Sequence, residues 1–265
     1  MKKLRIILFC ILLLLMVFPL LVLAVCSFLL PEHADTLLAG AYSPPNFTLI
    51  QFQELFIGDF YTTMFMNSVK MTFFAVLLHL PVSVMNGLML WRAKGRLKKG
   101  LMITYMAALL LPFQSIMLPV YQIFRILHIQ DSLWSVIALA AFAPLGPLVI
   151  AAWLNQVPDE CWEAALLETN SLFKIMLHIL IPQMLHILLV LGFVTIAEVW
   201  NMTEQPLILL QEIDMRPLSA VYNNTQRAGN SIAYAGSMLY FMPCVVVTIT
   251  IYFAGKGGRC NQMSE

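Results

Sequence analysis

Five polar side chains stand inside apolar runs of this chain, and one short charged stretch stands between two such runs. Asn86, Gln114, Ser115, Glu198 and Asn201 fall in stretches long enough to cross a bilayer. Hydrocarbon offers such groups no partner, so each must bond to another helix or face a polar path. For Asn86, Gln114 and Ser115, bonding between helices accounts for each one taken alone, and contact with a polar ligand is the alternative. Glu198 and Asn201 are three residues apart and share one helical face. If their run is fully embedded, they are candidates for the path; if it ends early, both stand in the outer headgroup region, and the sequence favours neither. The charged stretch is "EAALLETNSLFKIMLHILIPQM", residues 163 to 184, with Glu163, Glu168 and Lys174.

Other chemistries lack their signatures. The chain has no GxxxxGK[ST] phosphate loop, so ATP hydrolysis is expected of another chain. Neither HExxH nor GxSxG occurs, and no enzyme is expected. The five cysteines are scattered without CxxC spacing, and His79, His178 and His186 lack metal-ligand spacing. No metal site is expected, and the histidines are assigned to packing or interfacial roles.

The elements that carry these residues follow from composition. Of the 265 residues 60% are hydrophobic and only 11% are charged, against about 25% charged in soluble domains. The chain therefore reads as an all-α polytopic membrane protein, one transmembrane domain over 1–265. A net charge of +1 gives no general field for nucleic acid. A spanning helix needs about 20 apolar residues. Six spans are predicted, at about 6–30, 71–91, 101–124, 132–157, 179–210 and 231–255.

Lysine and arginine set the orientation. Lys2, Lys3 and Arg5 precede the first span, and Arg92, Lys94, Arg96, Lys98 and Lys99 lie between the second and third. The loop 31–66 holds acidic residues and no Lys or Arg. Both termini are accordingly predicted to be cytoplasmic, with 31–66 outside. By alternation the loop 158–178 is cytoplasmic too, although it carries Asp159, Glu160, Glu163 and Glu168 against one Lys174.

Pro158 should end the fourth span, and Asp159 can cap a short helix. On that helix Trp162, Ala165 and Leu166 share one stripe, while Glu160, Glu163, Ala164 and Leu167 share another. Thr169 and Asn170 break it, since Asn accepts a left-handed backbone. Ser171 can cap a second helix that runs toward Pro182. Patterning alone is met by a helical hairpin on the membrane surface with its carboxylates in water. The sharper reading is a protruding hairpin that docks in a partner's groove, with Trp162 as an apolar anchor.

Here the sequence resembles a known family. Glu163-Ala164-Ala165, Glu168 and then Ile179-Leu180-Ile181-Pro182 resemble the EAA motif of ABC importer permeases, with matching spacing from Glu to the final Pro. Thr169 stands where the family usually has Gly, so Asn170 is left to supply the left-handed turn. Asn67-Ser68, Gly95-Arg96, "LPVYQIF" with "IQDS", Trp200-Asn201 with Pro206-Leu207, "RPLSAV" and Pro243 follow in the order of maltose-type permeases.

The resemblance implies the type I importer permease fold, in the bacterial cytoplasmic membrane. It implies a cytoplasmic coupling helix between spans four and five, built on Trp162, Glu163, Ala164, Ala165, Leu166, Glu168, Thr169, Asn170 and Pro182. The implied partners are a second permease, two copies of a cytoplasmic ATPase, an extracytoplasmic solute-binding protein and membrane lipid. ATP and Mg would be held by the ATPase, with no cofactor on this chain, and the implied cargo is a carbohydrate. The rival reading is an ion-coupled secondary transporter, which would need paired charges at the bilayer midplane and internal repeats.

Overall fold

The computed structural model describes residues 2–30, 32–34, 46–57, 59–158, 171–220 and 233–261. Among them the chain is helical with no strand, apart from one isolated bridge between Leu29 and Phe47. The helices are α1 (Lys2–Ser27), α2 (Ile50–Leu55), α3 (Phe60–Arg92), α4 (Gly95–Leu110), α5 (Phe113–Ile126), α6 (Leu133–Ala141) and α7 (Leu145–Leu154). After them come α8 (Leu172–Ile175), a π turn (Met176–Leu180), α9 (Ile181–Gln183), α10 (Leu185–Trp200), α11 (Glu204–Leu209) and α12 (Ala233–Asn261).

By length and composition three stretches can cross a membrane: Arg5–Ser27, Phe60–Arg92 and Leu133–Leu154. Two further crossings are available if each of two bent helix pairs counts as one span. Three expected boundaries change. The second span belongs to a helix that begins at Phe60, not at 71, and Tyr61, Met64, Asn67 and Ser68, at helical spacing, are buried along its added turns. The third, expected to be unbroken over 101–124, turns by 106° between α4 and α5. Pro112 stands at the break with extended backbone and disfavours helix at Leu111 before it. The fifth, expected to reach 210, ends at Trp200, with Asn201 capping it and a separate short helix at α11.

The structure forms two compact units. One comprises Met1–Phe65 and Leu218–Glu265. In it α1 packs against α12, and Cys26, Leu29 and Ala34 are buried with Val22 and Tyr234 around them. A helix end leaves carbonyls without intrahelical donors. Gln51 supplies donors here, with Nε2 at 2.9 Å from the Cys26 carbonyl and 2.6 Å from that of Leu29. A second apolar group joins Leu55, Tyr61, Met64 and Leu218.

The other unit is Met66–Pro217, and α3 runs through both of its apolar clusters. The first cluster contains Met71 and Ala75 of α3, Phe124 of α5, Val136, Ile137 and Ala140 of α6, Val199 of α10, and Leu209 with Leu210. The second contains Val84 of α3, Ile150 and Leu154 of α7, and Ile175, Leu180, Met184 and Leu191.

Candidate functional site

Three arrangements in the unit Met66–Pro217 could do work. The first flanks the charged stretch. Residues 159–170 lie outside the described residues, so the calls on Trp162, Glu163, Ala164, Ala165, Leu166, Glu168, Thr169 and Asn170 fall there. Both flanks are described. On one side α7 ends at Leu154 and a turn carries the chain to an exposed Pro158. On the other, α8 begins at Leu172, directly after Ser171, whose carbonyl accepts from the Ile175 N–H at 3.1 Å. Ile150 and Leu154 before the segment, and Ile175, Leu180 and Met184 after it, are all buried in one cluster. Pro182 is exposed in α9 and follows the π turn. A proline has no N–H for the helical ladder, and the chain bends by 72° just beyond it, between the Met176–Gln183 segment and α10.

The second arrangement is polar and exposed. Gln114 opens α5 after the sharp bend, and its Nε2 donates to Glu204 Oε2 at 2.5 Å. Near it in sequence, Tyr121 accepts from Gln211 Nε2 at 3.4 Å. Asp131 (φ 55°) turns the chain after α5, and its Oδ1 accepts from the backbone N–H of Gln211 at 2.6 Å. Arg216 donates to the carbonyls of Leu210 and Gln211, and Asn67 Nδ2 to that of Asp214 at 2.7 Å. The segment 210–216 is thereby held from three sides.

The third is buried where α3 meets α6 and α7. Phe142, Ala143 and Pro144 interrupt the fourth span and release the Ala141 carbonyl from the helical ladder. His79, 2% exposed, places Nδ1 at 3.2 Å from that carbonyl. A carbonyl only accepts, so Nδ1 carries the proton, and Nε2 accepts from the Ser83 hydroxyl at 3.3 Å. Gly146 fits against this pair: a methyl added there would lie 2.0 Å from Ser83 Oγ. Gly87 is also tightly placed, since a methyl there would lie 2.6 Å from Ile150 Cβ.

The five polar residues expected inside spans do not behave as one set. Gln114 reaches Glu204, which was not among them, and it does so as an exposed residue outside any straight span. Ser115 is exposed in the first turn of α5, and Asn86 is half-buried on α3. Asn201 caps α10, with Nδ2 folded back at 2.8 Å from the Ala197 carbonyl, and Glu198 is exposed in the last turn. The helix that bears the pair ends at Trp200. His79 packs as expected, and its i, i+4 spacing to Ser83 across Pro81 was the sequence signal for the bond. Asp131 carried no such signal beyond its place in "IQDS".

Apolar helices of membrane length, some of them in bent pairs, are the mark of a polytopic membrane protein. The family described as "Binding-protein-dependent transport system inner membrane component" matches residues 80–255, and the chain belongs to it. Among similar proteins is the arabinooligosaccharides transport system permease protein AraQ of Halalkalibacterium halodurans, 29% identical over 243 residues, which cover 88% of this chain and 85% of that one. The probable starch degradation products transport system permease protein AmyC of Thermoanaerobacterium thermosulfurigenes is 26% identical over 69% of this chain and 68% of its own. The diacetylchitobiose uptake system permease protein DasC of Streptomyces coelicolor is 23% identical over 78% and 76%. A solved bacterial ABC transporter involved in the import of the acidic polysaccharide alginate contains a chain with the same fold, at TM-score 0.81 and 16% identity over 95% of each chain. The protein is thus an inner-membrane permease component of a binding-protein-dependent transport system.

Proposed function

We propose that this chain is one of two permeases in a carbohydrate importer of the bacterial cytoplasmic membrane, and that segment 158–178 couples it to a cytoplasmic ATPase. It crosses the membrane six times with both termini inside, beside a second permease, two ATPase copies and an extracytoplasmic solute-binding protein. ATP and Mg belong to the ATPase. The carbohydrate class is supported by the names of the relatives, which concern arabinooligosaccharides, starch degradation products and diacetylchitobiose.

One observation carries the coupling role: both flanks of 159–170 are anchored in the same apolar cluster. A push on the segment then moves α7, α8 and α10 together, as rigid-body transfer requires. Trp162 and Leu166 give the contact its affinity, and Ala164 and Ala165 let it seat closely. Glu163 sets register, since an exposed ion pair contributes only about 0.2–1 kcal/mol. Glu168 stays at the cytoplasmic surface, and Thr169 with Asn170 makes the turn. The Gln114–Glu204 pair supports a polar wall beside the path. Ion coupling gains no comparable observation among the described residues.

The test is co-expression with the neighbouring permease, binding protein and ATPases, comparing wild type with Trp162→Ala plus Glu163→Arg. Wild type should retain the ATPase and show hydrolysis stimulated by the binding protein, and the variant should lose both. Equal hydrolysis in the two would refute coupling through this segment.

A further inference from the structure

Gly95, Lys98, Lys99, Met102, Ile103 and Met106 line an open groove of about 350 Å³ along α4, within the size range of small-ligand sites. The spacing i, i+3, i+4, i+7, i+8, i+11 places all six on one face of the helix. The groove is divided in character. At one end are Lys98 and Lys99, which line it with their stems, and the start of the helix, whose first N–H groups have no side-chain cap. Beyond them the wall is apolar, with Ile103 57% and Met106 48% exposed. From Gly95 to Met106 the helix rises about 16 Å, close to the depth of one leaflet, about half of a 30 Å hydrocarbon core. Residues 92–100 hold five cations and no acid.

From this juxtaposition we propose that the face of α4 from Gly95 to Met106 is a binding site for an anionic phospholipid of the cytoplasmic leaflet. Its phosphate lies against Lys98, Lys99 and the free N–H groups of the first turn, where positive ends of the backbone dipoles add to the field. One acyl chain lies along Met102, Ile103 and Met106. A cation near an anionic lipid surface contributes about a five-fold preference, so the two lysines together give about thirty-fold. The inference rests on the cytoplasmic placement of 92–100 proposed above.

The experiment uses the assembled importer in nanodiscs of phosphatidylglycerol and phosphatidylcholine, with retained lipid counted by native mass spectrometry. Wild type should hold phosphatidylglycerol preferentially. Lys98→Gln with Lys99→Gln should reduce that preference about thirty-fold, and Lys98→Arg with Lys99→Arg should restore it. Met102→Gln with Met106→Gln should lower retention of both lipids alike. Equal retention of the two lipids by wild type overturns the site. So does a glutamine variant that keeps its lipid but sheds the ATPase, which would make the groove a protein contact. Orientation is checked separately with Lys94→Cys, in a chain whose five native cysteines are replaced by Ser, and an impermeant maleimide. Labelling in inverted vesicles alone upholds the placement, and labelling in right-side-out vesicles refutes it and the lipid site with it.

Discussion

Replacing Gly146 with Ala should destabilise the protein through a contact that no surface property reveals. The added methyl would meet Ser83 Oγ at 2.0 Å, His79 Nε2 at 2.7 Å and Ser83 Cβ at 2.7 Å. None of these atoms is the loose end of a long side chain, so α3 and α7 must separate or His79 must turn. Overpacking of this kind costs about 1–3 kcal/mol. Loss of the Ser83–His79 bond adds about 0.6 kcal/mol, the mean for such bonds in a membrane protein. Alanine returns up to about 1 kcal/mol in helix propensity. The net is a loss of about 1–3 kcal/mol, which is roughly ten-fold or more in the ratio of folded to unfolded protein. Gly192→Ala is the matched control, because its methyl would find Leu80 Cδ1 at 3.8 Å and Val76 Cγ1 at 4.0 Å, ordinary contact distances. Thermal unfolding followed by size-exclusion chromatography in detergent should rank Gly192→Ala at or above wild type and Gly146→Ala below it. Adding Ser83→Ala should relieve the second variant only in part, since Ser83 Cβ remains in the way. A Gly146→Ala protein as stable as Gly192→Ala would refute the close fit and the geometry assigned to His79.

Two further substitutions probe polar groups that hold chain segments in place. Gln51→Leu should leave the Leu29 carbonyl without a donor and the Cys26 carbonyl to the Leu29 N–H at 3.3 Å. The loss is about 1–3 kcal/mol, offset in part because the buried, unpaired Gln51 Oε1 goes too, and its signature is faster alkylation of the otherwise buried Cys26 thiol. At Asp131, Asn keeps both the acceptor and tolerance of the positive φ, whereas Ala loses both. Asp131→Asn should therefore match wild type in resistance to proteolysis within 210–217, and Asp131→Ala should be cut several-fold faster there.

The helices were legible because apolar residues must run for about 20 positions before a bilayer can hold them, and the chain's runs are that long. Breaks inside the runs were harder to read. Pro112 and Asn201 punctuate stretches that remain apolar on both sides, so hydropathy carried straight across a 106° bend and a helix end. Pro81 and Pro243, by contrast, sit within helices that continue. Proline alone does not decide whether a helix stops; neighbouring packing does. Ser171, expected to precede a helix, stands directly before α8. Gln114 could be chosen as polar within an apolar run, yet its partner Glu204 could not, because they are 90 residues apart and meet only through the break after Leu110. Gly146 and Gly87 gave no sequence signal, since a glycine required by a neighbour's hydroxyl or methyl looks like any other.

The long third helix has a mechanical consequence. Its 33 residues extend about 50 Å, well beyond the hydrocarbon thickness, and it is common to both apolar clusters of its unit. A continuous rod would pass any displacement of one cluster to the other without loss. Pro81, however, lies between Ala75 and Val84, its missing N–H leaves the Leu77 carbonyl without its helical donor, and the interruption at 142–144 faces the same level through His79. Two weak points are thus clamped side by side by one imidazole. The stiffness of that clamp sets how much of a displacement of one cluster arrives at the other.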